Sequence, residues 1–133
     1  MTRLVSFLGL ALLQTSATFA QTPMSADEFE QFVTGRTLTY GTAAGAYGIE
    51  EYGSSRQVRW SFLDEECIEG IWYPQDGAIC FAYVGRFDEQ CWHFFLEGGQ
   101  LSAITIDAPD AQPHYVIEDS DGPMQCFGPR IGV

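Results

Sequence analysis

From Thr37 to Ile106 short apolar-rich runs alternate with clusters of turn residues, and this rhythm restricts the chain to antiparallel β structure. The runs 37–42, 47–52, 57–63, 67–73, 78–84, 90–96, 101–106 and 114–118 read as strands. Links such as Ala43-Ala44-Gly45-Ala46, Gly53-Ser54-Ser55-Arg56, Pro74-Gln75-Asp76-Gly77 and Gly98-Gly99 are too short for the crossover that joins parallel strands. Sequential strands must therefore lie side by side.

The turns also set registers. Folding about Asp64–Glu66 puts Phe62 opposite Ile68, Trp60 opposite Gly70 and Val58 opposite Trp72. Folding about Pro74–Gly77 puts Trp72 opposite Ile79 and Gly70 opposite Phe81. Folding about Gly85-Arg86 aligns Phe81 with Gln90, Ile79 with Trp92 and Cys80 with Cys91, and folding about Gly98-Gly99 aligns Leu96 with Leu101 and Phe94 with Ala103. In the register about Gly53–Arg56, Ile49 meets Trp60, and Glu50 meets Arg59 on the other face. These foldings gather Ile49, Val58, Trp60, Phe62, Trp72, Ile79, Phe81, Tyr83, Trp92, Phe94 and Leu96 on one face, and a slip by a single residue would scatter them. Gly70 is expected to leave space for the rings of Trp60 and Phe81. The opposite face mixes Glu50, Arg59 and Glu69 with Ile71, Ala82, Val84, Phe95 and Ile104.

One helix precedes the sheet. Ser25 and Glu28 form a capping-box pattern, Phe29, Phe32 and Val33 recur at helical spacing, and Gly35 is a stop signal. Its apolar stripe is expected to cover the apolar part of the sheet's opposite face. The fold class is thus mainly β: an antiparallel meander of about seven or eight strands forming a small barrel or curved half-barrel, with one short N-terminal helix. The aromatic side chains are expected to fill the interior of so small a barrel rather than to line an open cavity.

The first twenty residues read as a signal peptide. Arg3 supplies the positive start, Leu4–Leu13 the apolar stretch, and Thr18-Phe19-Ala20 the small residues before a cut near Ala20. The stretch is shorter than the roughly 20 residues of a membrane crossing, so no stable membrane insertion is expected. The expected organisation is a signal peptide over 1–20 and a single β-rich domain over 21–133, periplasmic or secreted.

Cys67, Cys80, Cys91 and Cys126 all follow the signal. An even count in an exported chain favours disulfides, whereas zinc binding needs closer pairs than any present. Of the three connectivities open to four cysteines, the strand register favours Cys80 with Cys91, leaving Cys67 for Cys126.

The formal charge of the chain is −12, and loss of Arg3 with the signal makes it −13; there is no lysine. Such a chain repels nucleic acid, and a cationic protein or a small ligand is the partner its charge permits. Catalytic signatures are sparse. The two histidines, His93 and His114, have no serine nucleophile motif around them, and no catalytic residue is assigned. Asp64-Glu65-Glu66 reads as a solvated turn. Glu118-Asp119-Ser120-Asp121-Gly122 lacks the spacing and the distant glutamate of a calcium loop, so no metal site and no cofactor are expected.

The run Gly70-Ile71-Trp72-Tyr73, then Asp76-Gly77-Ala78-Ile79-Cys80, then Cys91-Trp92, preceded by a helix ending near Gly35-Arg36-Thr37, resembles a pattern of small exported alphaproteobacterial β-meander proteins of unknown function. The resemblance covers most of 25–97; it implies export and the fold, and carries over no active site. In general character alone the chain is also similar to periplasmic lysozyme inhibitors, whose binding-loop motifs are not evident. The expected function is that of a non-catalytic exported module that binds a protein, an envelope component or a small ligand. An inhibitor of a cationic enzyme such as lysozyme, and a small hydrolase, are the alternatives.

Overall fold

The computed structural model of the protein describes residues 21–63, 65–85 and 88–126. The expected signal segment, Asp64 of the acidic turn, Arg86 of the expected turn and the tail beyond Cys126 lie outside the described residues.

The chain forms a helix α1 (Ala26–Val33) and the strands β1 (Thr37–Thr42), β2 (Gly45–Tyr52), β3 (Gln57–Phe62), β4 (Ile68–Gln75), β5 (Ala78–Tyr83), β6 (Gln90–Glu97), β7 (Gln100–Thr105) and β8 (His114–Ser120). Each strand pairs with the next, and β8 returns to β1, closing an antiparallel barrel. Among the described residues no helix is long and apolar enough to cross a membrane.

The turns explain the registers. The β4–β5 turn is the two-residue hairpin Asp76-Gly77, flanked by paired Gln75 and Ala78, and both turn residues have positive φ, 49° and 79°. That left-handed geometry matches strand twist, and Asp-Gly tolerates it. The turn is therefore tighter than Pro74–Gly77, and Trp72 pairs with Phe81 and Gly70 with Tyr83. Trp60 pairs with Ile68 and Val58 with Gly70. Both shifts from the sequence expectation are by two residues, so every side chain keeps its face. Trp92 opposite Ile79, Cys91 opposite Cys80, Leu101 opposite Leu96 and Ala103 opposite Phe94 follow the sequence reading.

The β2–β3 register departs by one residue, and that reverses a face. The loop between Gly53 and Gln57 holds Ser54, Ser55 and Arg56, closed by a 2.8 Å hydrogen bond from the Gly53 N–H to the Gln57 carbonyl. Ser55 and Arg56 have φ of 56° and 61°. An odd loop aligns Glu50 with Trp60 and Glu51 with Arg59, and places Ile49 opposite Ser61. Glu50 therefore points into the barrel, where Ile49 was expected, and Glu51 takes the outer place beside Arg59.

The helix is not on the outside of the sheet. Its capping box is complete: the Ser25 hydroxyl accepts from the Glu28 N–H, and the Glu28 carboxylate accepts from the Ser25 N–H. Phe29 and Val33 are fully buried, and the Phe29 ring packs edge-on to Tyr52, Trp72 and Phe81 and tilted against Phe94, all within the barrel core. Burial of one such ring stabilises by about 1.5–3 kcal/mol. The helix is thus a plug in one end of the barrel, not a cover. It is fixed there by Met24 N–H to the Phe94 carbonyl and Gly35 N–H to the Tyr52 carbonyl, and by Arg56, which bonds Glu30 at 2.9 Å and lies over Trp72. Ile71 and Val84 on the outer face stay 50% and 75% exposed.

Disulfides join Cys67 to Cys126 and Cys80 to Cys91, as suits an oxidising extracellular compartment. After β8 the chain returns along the outside of β1–β3. The Gly122 carbonyl accepts from Thr37 Oγ1 at 2.7 Å, and the Met124 N–H donates to Glu51 at 2.7 Å. Glu51 also receives a bidentate bond from Arg59 at 2.8 Å.

Candidate functional site

Strand direction decides which residues reach the end away from the plug: β1, β3, β5 and β7 arrive there and β2, β4, β6 and β8 leave from it. Phe62, Tyr83, Gln90, Thr105 and His114 lie at or near those strand ends, and Asp107 just beyond. With Tyr47, Tyr40, Trp60 and Trp92 they surround a cavity of about 420 Å³ that enters the barrel. Such a volume falls in the range of about 300–1,000 Å³ common to small-molecule sites. Tyr52, Phe81 and Phe94 line it from below and touch Phe29 of the plug, so these rings are its floor. The expectation of a filled interior is met at the plugged end only; the other end is hollow.

Two glycines make the walls. A Cβ at Gly48 would run into the six-membered ring of Trp60, so only glycine on β2 lets that indole lie across the strand. A Cβ at Gly70 would come within 2.8 Å of Tyr83 Cδ1. Gly70 therefore accommodates Tyr83, its actual neighbour across the sheet, and not the Trp60 and Phe81 rings expected from the sequence. A bulge adds a further ring. Tyr40 of β1 pairs with Gly48 and Gly41 with Ala46, leaving Tyr47 as the extra residue. Its ring meets Trp60 at 5.8 Å and stands edge-on to His114 at 5.3 Å, on the cavity wall. Bulges re-aim side chains in this way.

Glu50 is a buried carboxyl in this largely apolar wall. It is 2% exposed. Its Oε2 accepts a hydrogen bond of 2.9 Å from the Tyr83 hydroxyl, while its Oε1 has no partner among the described residues. Burial raises the Glu50 pKa well above the ordinary carboxylate value, and the Tyr83 hydrogen bond offsets this only in part. Tyr83, Tyr40 and Tyr52 are all pushed upward, first by burial. Tyr47 rises to about 12, by burial and then by the nearby Glu50. Tyr40 and Tyr52 share a hydroxyl–hydroxyl bond of 2.7 Å. All four phenols are neutral at pH 7 and act as hydrogen-bonding groups.

His114 opens into the same cavity, with Nδ1 at 2.6 Å from the Tyr47 hydroxyl and its ring edge-on to Trp92 at 4.9 Å. Partial burial lowers its pKa, so the ring is neutral at pH 7. His93 lies on the other face of β6, opposite Ile104, away from His114. Of the acidic runs, Glu118–Ser120 belongs to β8 paired with β1, where Asp119 takes an ion pair of 2.5 Å with Arg36. The Glu65 carbonyl accepts from the Ser61 hydroxyl at 2.9 Å in the β3–β4 link. Cys80, Glu89 and Cys91 bring potential ligand atoms together, but both sulfurs are spent in a disulfide.

Sequence reasoning placed Trp60, Phe62, Phe81, Tyr83, Trp92 and Phe94 on the inner face, and missed Tyr40, Tyr47, Tyr52 and the Glu50 carboxyl. Comparison with protein-family models, curated proteins and solved structures finds no match to the chain.

Proposed function

We propose that this protein is an exported, non-catalytic barrel that carries a small, largely apolar ligand in its open end. The observation that carries the reading is the cavity of about 420 Å³ walled by aromatic rings, closed below by a helix and open above. Aromatic walls with a few convergent polar groups are the usual make-up of a small-molecule site. Here those groups are the Glu50 carboxyl, the Tyr47–His114 pair and Gln90. The signal-like segment 1–20 and the paired cysteines support the exported setting.

N-Phenyl-1-naphthylamine, a neutral aromatic fluorophore, tests the cavity directly. It should brighten on binding the mature protein and quench Trp60 and Trp92. A Thr105→Trp variant, which fills the mouth from a half-buried position, should bind at least tenfold more weakly while keeping its fold by circular dichroism. Equal binding by this variant, or no binding by the wild type, would overturn the proposal. Mass spectrometry of the exported protein should give a mass starting near Gln21, and an uncleaved N-terminus would refute the assigned setting.

A further inference from the structure

We infer that the cavity selects a small organic cation, a protonated amine on an aromatic body, with its charge set against Glu50. This rests on the ligand-carrying reading above and names the class of ligand.

The site is chemically incomplete at one atom. Glu50 Oε1 is buried and has no donor among the described residues, while Oε2 is already occupied by Tyr83. Among the described residues an ionised Glu50 would be a buried charge without a counterion, and a protonated one would have no acceptor for a hydroxyl at Oε1. Either state leaves a cost that a ligand can remove. An ammonium group beside the Glu50 carboxyl removes it by supplying a donor and the opposite charge.

The surroundings favour a cation over a neutral or anionic ligand. From β1 Glu50 is faced by Tyr40, along β2 by Tyr47 and Tyr52, from β3 by Trp60, from β5 by Tyr83, and His114 of β8 and Asp107 stand at the mouth. The phenols are neutral, burial keeps His114 neutral, and Asp107 adds negative charge. Among the described residues no arginine lines the cavity, and Arg36, Arg56 and Arg59 are paired with Asp119, Glu30 and Glu51. Among the described residues a carboxylate or phosphate ligand would meet no cationic side chain on the cavity wall. The faces of Trp60 and the tyrosines supply the negative quadrupole that attracts a cation, most strongly where water is excluded. The chain as a whole, at −12 and without lysine, draws cations toward the mouth.

The test uses three pairs of near-isosteric probes on the mature, disulfide-bonded protein at pH 7: benzylamine and benzyl alcohol, 2-phenylethylamine and 2-phenylethanol, and tryptamine and tryptophol. Each competes with N-phenyl-1-naphthylamine. At least one amine should displace the fluorophore at least tenfold more effectively than its alcohol, and Glu50→Gln should erase that preference. Amines no better than alcohols in the wild type would overturn the cation assignment and leave the cavity reading standing. A preference that survives in Glu50→Gln would overturn the assignment of the charge to Glu50. The wild-type comparison needs no variant, so a folding defect in Glu50→Gln does not decide the matter. Failure of the fluorophore itself to bind is the separate result that removes the ligand-carrying reading.

Discussion

The two ends of this barrel are held by different forces. At the plugged end Phe29, Val33, Leu38, Trp72, Ile79 and Leu101 are all at most 2% exposed, and stability there is side-chain packing. At the open end the interior is hollow, and order comes from directed bonds: Tyr83 to Glu50, Tyr47 to His114, and the Cys67–Cys126 bridge that ties the returning tail beside β3 and β4. One end therefore tolerates no loss of volume, while the other has volume to give. The proposed ligand site follows this contrast: the cavity and a carboxylate oxygen unpartnered among the described residues both fall at the end that packing does not fill.

Substitutions can break this contrast, and the largest effect belongs to the plug. Phe29→Ala should cost about 3–5 kcal/mol, the usual range for a buried ring, read by urea unfolding; a cost near zero would mean that the helix is an ornament. Next comes the covalent tie of the open end. Replacing Cys67 and Cys126 by serine should cost about 4 kcal/mol for a sequence separation of 59, against about 3 kcal/mol for Cys80 and Cys91 with a separation of 11, in the chain-entropy model. Reversal of that order under the same denaturant would show that strain, not loop length, governs the bridges.

Within the hollow end, Gly48→Ala should cost about 1–3 kcal/mol by driving a methyl into the Trp60 ring. The displaced indole should also lower fluorophore affinity. Glu50 acts through pH. Burial raises its folded pKa above 4.5, so between that value and the raised one the native state holds more protons than the unfolded chain. Stability from this group is complete below about 4.5 and falls as pH rises, by at most about 1.4 kcal/mol per pH unit. Glu50→Gln should remove that fall, so the two unfolding curves should diverge toward neutral pH with the variant the more stable; parallel curves would contradict a buried carboxyl. Thr105→Trp should move stability least, by less than about 1 kcal/mol as for a partly exposed site, and yet abolish most ligand binding.

Much of the barrel was legible because β period and turn chemistry agree. Asp76-Gly77 and Gly98-Gly99 fix even hairpins, and the alternation of Val58, Trp60, Trp72, Phe81 and Phe94 survives shifts of two residues. The site was illegible at a single point of parity. Gly53–Arg56 reads as a four-residue link, but Gly53 bonds back to Gln57 and leaves three. The segment Tyr47-Gly48-Ile49-Glu50-Glu51-Tyr52 has an acid and a tyrosine on each face, so its hydrophobic pattern does not choose between them. Arg59 does not choose either, because each of two adjacent glutamates could answer it. Gly48 was the available signal: a glycine in a strand facing a large ring marks close approach, and it shares its face with Glu50. The helix was misplaced for a different reason. Its stripe specifies that it must be buried, and only the three-dimensional width of the barrel end shows where.

The seam between β1 and β8, where Thr37 meets Ser120 and Gly41 meets Tyr115, also orders events in time. Every other pairing joins neighbours in sequence and can zip locally, but this one waits for nearly the whole chain, the slowest class of contact to form. Tyr40 on one side and His114 on the other become walls of one vessel only when it closes. In the exported, ligand-carrying reading proposed above, a chain threaded through a membrane from its N-terminus would cross as a ribbon with nowhere to hold a passenger, and the ligand would be collected after arrival.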